Sequence, residues 1–218
     1  MRHLIDTYIE AAEPRKISDF GEIGLLDLIV KSGLADALNS LPDGIKGNKG
    51  AVAETIANNV RSKIIKDHLN DPAFYDKMSA LLTEILADLK AARISYEEFL
   101  KRIADLAKTV HAGTASDTPA TLNTPGKRAL YNNLMTVHTP SDGGAAREDS
   151  TQYGSEAATQ ALTLALRIDE TVRRVRPNAF RGNQARENVI KAALLPLLGN
   201  NETEVERIFL IIRAQTEY

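Results

Sequence analysis

The sequence predicts an all-α protein, a multi-helix bundle with a long helical hairpin and no sheet. Two observations carry this. Ala (29) and Leu (25) fill a quarter of the 218 residues, against 9 Val and 17 Ile, a balance that favours helix over strand. Apolar residues also recur at intervals of three and four along most of the chain, and no stretch alternates as a half-buried strand would.

Each element follows from that periodicity. Leu4, Ile5, Tyr8 and Ile9 form a short first stripe, and Leu25, Leu26, Leu28, Ile29 and Val30 a second that Gly33 stops. Val52, Ile56, Val60 and Ile64 step by four. Asp71-Pro72 then starts a new helix, because Asp is a good N-cap and Pro a good first helical residue. Phe74, Met78, Leu81, Leu82, Ile85 and Leu89 line one face; Tyr96, Phe99, Leu100, Ile103, Leu106 and Val110 line another. Ile94-Ser95-Tyr96 breaks the phase between them, so the segment reads as two long helices, or one helix bent there, ending at Gly113; an antiparallel hairpin or coiled-coil arm would fit. A helix follows around Ala129, Leu130, Leu134 and Met135. Residues 139–152 read as a mobile loop. Ala161, Leu162, Ala165, Ile168 and Val172 resume the stripe up to Pro177. Val189, Ile190, Ala193, Leu194, Leu197 and Leu198 form another, in which Pro196 should kink or end the last turn and Gly199 stops it. Val205, Ile208, Phe209 and Ile212 mark the last helix. The chain is expected to be one helical domain over 1–218, with sub-bundles 1–111 and 124–218 joined by loop 112–123. Helical pattern from residue 3 almost to Tyr218 suggests a piece cut from a longer chain.

Composition excludes several chemistries. With no Cys there is no thiolate nucleophile, disulfide, zinc finger or iron–sulfur cluster. No apolar run approaches the roughly 18 residues of a membrane span, and Asp6 interrupts the place of a signal-peptide apolar core. A cytoplasmic chain without a membrane partner is expected. His3, His68, His111 and His138 lack metal-ligand spacing. Gly44-Ile-Lys-Gly-Asn-Lys-Gly50 is glycine-rich and basic, but neither it nor Pro125-Gly-Lys127 fits the phosphate-loop pattern. Asp88-Leu89-Lys90, with Pro42-Asp43, imitates a nuclease carboxylate set, yet Asp88 and Lys90 diverge on a helix. No metal or cofactor site is read from the chain itself.

One charge asymmetry stands out. Between Arg167 and Lys191 seven basic residues face three acidic ones, so this window is +4 and the remainder −6 on a chain of net −2. Arg173, Arg174, Arg176, Arg181, Arg186 and Lys191 are therefore candidate DNA-backbone contacts. The same side chains could instead pair with acidic faces of neighbouring helices or subunits.

Many short stretches, in order, resemble a late part of the R (restriction) subunit of type I restriction–modification enzymes. They include Arg2-His-Leu-Ile-Asp-Thr-Tyr-Ile-Glu10, Leu26-Asp-Leu-Ile-Val30, Ile45-Lys-Gly-Asn-Lys49 and Ala53-Glu-Thr-Ile-Ala-Asn-Asn-Val-Arg-Ser-Lys-Ile-Ile-Lys66. Lys77-Met-Ser-Ala-Leu-Leu82, Leu100-Lys-Arg-Ile-Ala104, Arg128-Ala-Leu-Tyr-Asn-Asn-Leu134, Arg181-Gly-Asn183 and Glu217-Tyr218 continue the series. Phe180 departs from it, standing where the family would lead one to expect Trp. The resemblance implies the C-terminal helical region of a subunit whose other parts are a Mg²⁺-dependent nuclease domain and two ATPase lobes. The parent would use ATP and Mg²⁺ to translocate and cut DNA. This piece matches none of the nuclease or ATPase motifs, so no catalytic residue carries over, and it would be inactive alone. Its implied partners are the modification and specificity subunits, onto which it would dock the motor. The alternative is a module that guides double-stranded DNA through the Arg173–Lys191 region.

Overall fold

The computed structural model describes residues 24–115, 118–138 and 150–218, with the backbone alone at 137–138 and 150–155. Among them ten α-helices and two 3₁₀ turns follow one another without a strand. The stripe expected at residues 4–9 lies outside the described residues, as does the 139–149 part of the expected mobile loop.

The first half holds α1 (Leu25–Ser32), α2 (Leu34–Asn39), α3 (Asp43–Lys46), α4 (Lys49–Asp67), a 3₁₀ turn (His68–Asn70), α5 (Pro72–Lys90) and α6 (Tyr96–Ala112). The starts of α4, α5 and α6 are set by side chains that occupy otherwise unpaired amides. Asn48 Oδ1 accepts from Gly50 N at 2.9 Å and Ala51 N at 3.1 Å. Asp71 accepts from Phe74 N at 3.2 Å, and Ser95 from Glu98 N at 3.1 Å. The stepped residues Val52, Ile56, Val60 and Ile64 are all buried, packed with Ile29, Phe74, Met78, Leu82, Phe99, Ile103 and Val110 in one apolar cluster. The α5–α6 hairpin is thus present, but it is no projecting arm. Both its helices supply this core, and α6 packs on α1 and α4.

The second half holds α7 (Pro125–His138), α8 (Ser150–Val175), α9 (Gln184–Leu194), a 3₁₀ turn (Leu195–Leu198) and α10 (Glu202–Ala214). Helix α8 starts at Ser150, so residues 150–152, expected in the loop, are helical. Pro196 tightens the end of α9 into the 3₁₀ turn, as its missing N–H and ring bulk require. Gly199 then takes φ 63°, the left-handed conformation that closes a helix with least strain on glycine. Leu130, Leu134, Ala161, Ala165, Ile168, Phe180, Ile190 and Phe209 gather in a second apolar cluster.

The halves meet along α5 and α7. Asp71, 7% exposed, sits at this seam. Its carboxylate accepts from Asn132 Nδ2 at 2.7 Å and Asn133 Nδ2 at 2.9 Å. Gln215 Nε2 donates across the same seam to Asn70 O at 2.5 Å. Burial outweighs these donors and pushes the Asp71 carboxyl up to about 6.

Candidate functional site

Among the six basic residues singled out from the sequence, five are engaged inside the fold. Arg173 lies one turn after Asp169 on α8, and its Nε donates to Asp169 Oδ1 at 3.0 Å. Its guanidinium also reaches Glu217 at 3.6 Å and stands 5.2 Å from the Tyr218 ring centroid. Arg176 Nη1 donates to Glu217 O at 3.4 Å. Arg181 donates to three carbonyls at and beyond the end of α10: Arg213 O at 2.9 Å, Tyr218 O at 2.9 Å, and Gln215 O. Arg186 Nη1 donates to Asn178 O at 2.7 Å, bracing the loop before its own helix. Lys191 pairs with Glu206 on α10 at 2.5 Å and lies 4.7 Å from the Phe209 ring centroid. Arg174 differs: it is exposed and makes no ion pair or hydrogen bond among the described residues. Arg167, two turns earlier on the same helix, is likewise exposed and unpaired there.

Three of these arginines converge on residues 213–218, of which the sequence had singled out only Glu217-Tyr218, in the family resemblance and with no role. There Tyr218 is buried and its hydroxyl donates to Asp169 Oδ1 at 2.7 Å. Burial, and then the Asp169 carboxylate, raise the Tyr218 phenol well above its usual range. Glu217 Oε1 accepts from Gly126 N at 2.9 Å and Thr124 Oγ1 at 2.9 Å, so this carboxylate caps the start of α7 from a distant part of the chain. A Cβ on residue 126 would stand 2.2 Å from Glu217 Oε1 and 2.9 Å from the Tyr218 ring. Glycine in Pro125-Gly126-Lys127 is therefore a packing requirement of this clasp.

The other motifs resolve into local structure as well. Asn48 fills the amides at the start of α4 that a phosphate would need, and Lys49 lies 5.1 Å from the Tyr96 ring centroid. Asp88 pairs with Arg93 at 3.2 Å and Arg102 at 3.7 Å, tying the two helices of the hairpin. His68 faces Asp76 at 2.8 Å and His111 faces Asp27 at 2.8 Å. Among the described residues no group of three or more His, Asp or Glu is placed to hold a metal ion, and no helix is long and apolar enough to cross a membrane.

A broad concavity lies between the halves, not beside the arginines. It is a cleft of about 840 Å³ floored by Leu69, Pro72, Ala73, Leu210, Ile211 and Ala214. A second hollow of about 270 Å³ shares Ala73, Lys77 and Thr136 with it, so the two are neighbours in a trough-like region along the α5–α7 seam. Sequence periodicity could not find it, because its walls come from segments about 140 residues apart in the chain. No protein-family model, curated protein or solved structure matches the chain.

Proposed function

We propose that this chain is a helical docking module, the C-terminal region of a type I restriction R subunit, which holds the motor to the modification and specificity subunits. The observation that supports docking over DNA guidance is the fate of the basic stretch. Arg173, Arg176, Arg181, Arg186 and Lys191 are spent on carboxylates and carbonyls of the same fold. Arg173 and Lys191 are neutralised by carboxylates, and Arg176, Arg181 and Arg186 direct guanidinium donors at carbonyls of the fold, which leaves fewer donors for a phosphate backbone. ATP and Mg²⁺ belong on this reading to the parent's other domains, and the setting is cytoplasmic.

The test is capture of a purified modification–specificity complex by the chain, with and without duplex DNA, at low and moderate salt. Capture without DNA is expected; capture only with DNA, lost as salt rises, would sink the reading. DNA guidance keeps one specific support, the outward Arg167 and Arg174. Two charge reversals separate the readings further. Arg173→Glu should lower stability by about 1–3 kcal/mol, because it places a carboxylate beside Asp169 and Glu217. Arg174→Glu should leave the fold intact and leave capture unchanged. A loss with Arg174→Glu of only the capture that needs duplex DNA, read by the same pull-down, would favour DNA contact.

A further inference from the structure

The trough along the α5–α7 seam is an unpartnered apolar surface with a cationic rim. Leu69 is 73% exposed and Leu210 45%, and both line the cleft. Ile65, one helical turn before Leu69, is 69% exposed. Large apolar side chains left in water over one contiguous concavity mark an interaction site. The rim carries Lys77, Arg207 and Arg213 against one carboxylate, Asp76, a local balance of +2 on a chain of net −2. Asp76 is already held by His68 at 2.8 Å. Arg207 is tied to Glu204, and Arg213 reaches Glu187 only at 3.9 Å. Lys77 lines both hollows and makes no hydrogen bond or ion pair among the described residues. The floor is apolar and elongated between helices, and the unspent charge at its edge is positive.

We infer that this trough binds an amphipathic helix of a partner protein, whose apolar stripe seats on Leu69 and Leu210 and whose flanking carboxylates meet Lys77 and Arg213. This rests on the docking reading above and names the chemistry of what docks. Helix-in-groove recognition uses such anchors at i, i+3, i+4 and i+7. A nucleic-acid backbone fits less well, because Pro72, Ala73, Leu210 and Ala214 offer a phosphate no side-chain donor.

The experiment uses two labelled synthetic helices of about 18 residues, roughly 27 Å long. Both carry the same leucine stripe; one has Glu flanks and the other Lys flanks. Fluorescence anisotropy should show the Glu helix binding the chain about ten-fold or more tighter than the Lys helix. Leu210→Asp and Lys77→Glu should each weaken the Glu helix by about ten-fold, the size of one anchor contact. Val189→Asp, at a residue 48% exposed on α9 and outside the trough, should change nothing. Circular dichroism of each variant checks that the fold persists. Equal binding of the two helices, or binding indifferent to Leu210→Asp, overturns the proposal. So does duplex DNA that displaces the Glu helix, or a wild-type dimer that Leu210→Asp dissolves, since either gives the trough another occupant. The modification–specificity complex separates this from the broader reading. If wild type and Leu210→Asp capture it equally, docking stands and the trough proposal falls. If neither captures it while the Glu helix binds wild type, the trough stands and the restriction-complex reading falls.

Discussion

The two halves of the molecule are closed by different means. Helices α1–α6 surround a core whose members follow one another at helical spacing and whose fit is almost wholly apolar. Helices α7–α10 have such a core too, but a polar clasp built from Asp169, Arg173, Arg181, Glu217 and Tyr218 binds the strand of chain after α10 to α7 and α8. The first half is thus sensitive to lost volume, and the second also to lost geometry at single atoms. The largest effect expected from a point change lies in the first half. Phe99 is fully buried and stacks on Tyr96 at 6.1 Å. Phe99→Ala should cost about 3–5 kcal/mol in urea unfolding. A loss under about 1 kcal/mol would mean that this core is looser than its burial indicates.

The seam between the halves gives the next effect, and it has a pH signature. The Asp71 carboxyl is raised from 3.8 to about 6 by burial, against the pull of Asn132, the Phe74 amide and Asn133. A raised acid binds its proton more tightly in the folded state than in the unfolded one. Stability therefore falls as pH rises from near 3.8 to near 6, and levels off above that. The two-unit difference corresponds to about 3 kcal/mol at full swing. Asp71→Asn keeps an acceptor for the Phe74 amide and has no proton to lose. The stability of wild type minus that of Asp71→Asn should thus shrink steadily between pH 4 and 6.5 in parallel urea titrations. A difference that stays level across that range would contradict the assignment.

Both the cores and the clasp were present in the sequence, but only the cores announced themselves there. Val52, Ile56, Val60 and Ile64 are legible because burial in a helix repeats every three or four residues, and the period is local. Asp71-Pro72 and Pro196 are legible for a similar reason: each acts on its own turn of backbone. The partners of Arg181 lie 32 to 37 residues away, and Tyr218 finds Asp169 across 49. No periodicity links such positions, so the sequence left open whether these arginines meet a phosphate backbone or pair with neighbouring helices, and named none of their partners. The reverse error occurred at Ser150-Thr-Gln152. Its small and polar residues resemble a loop, yet these residues form the first turn of α8. The trough was illegible for the same reason as the clasp, its walls being assembled from α5, α7 and α10.

The clasp can be broken at one atom, which sharpens the contrast between the halves. Gly126 N donates to Glu217 Oε1 at 2.9 Å, and the space a methyl group would need is already taken by that oxygen and by Tyr218. Gly126→Ala would favour the helix by propensity, by about 1 kcal/mol at most. It must also push Glu217 off the α7 amides and lift the buried Tyr218 ring. Overpacking of this kind costs about 1–3 kcal/mol, and the lost cap adds to it. The net expected change is a loss of about 1–2 kcal/mol. Gly44 serves as the matched control from the first half, because a Cβ there meets nothing within 4 Å. Gly44→Ala should stay within about 0.5 kcal/mol of wild type. The same comparison can be read without unfolding the protein. Displacing Glu217 uncovers the Tyr218 ring, so the Gly126→Ala protein should show faster amide exchange at residues 124–128 and 215–218 than wild type, with the α1–α6 amides unchanged. Protection that falls equally in both halves would show that the clasp is part of one cooperative unit with the first core, and the distinction drawn between the halves would be lost.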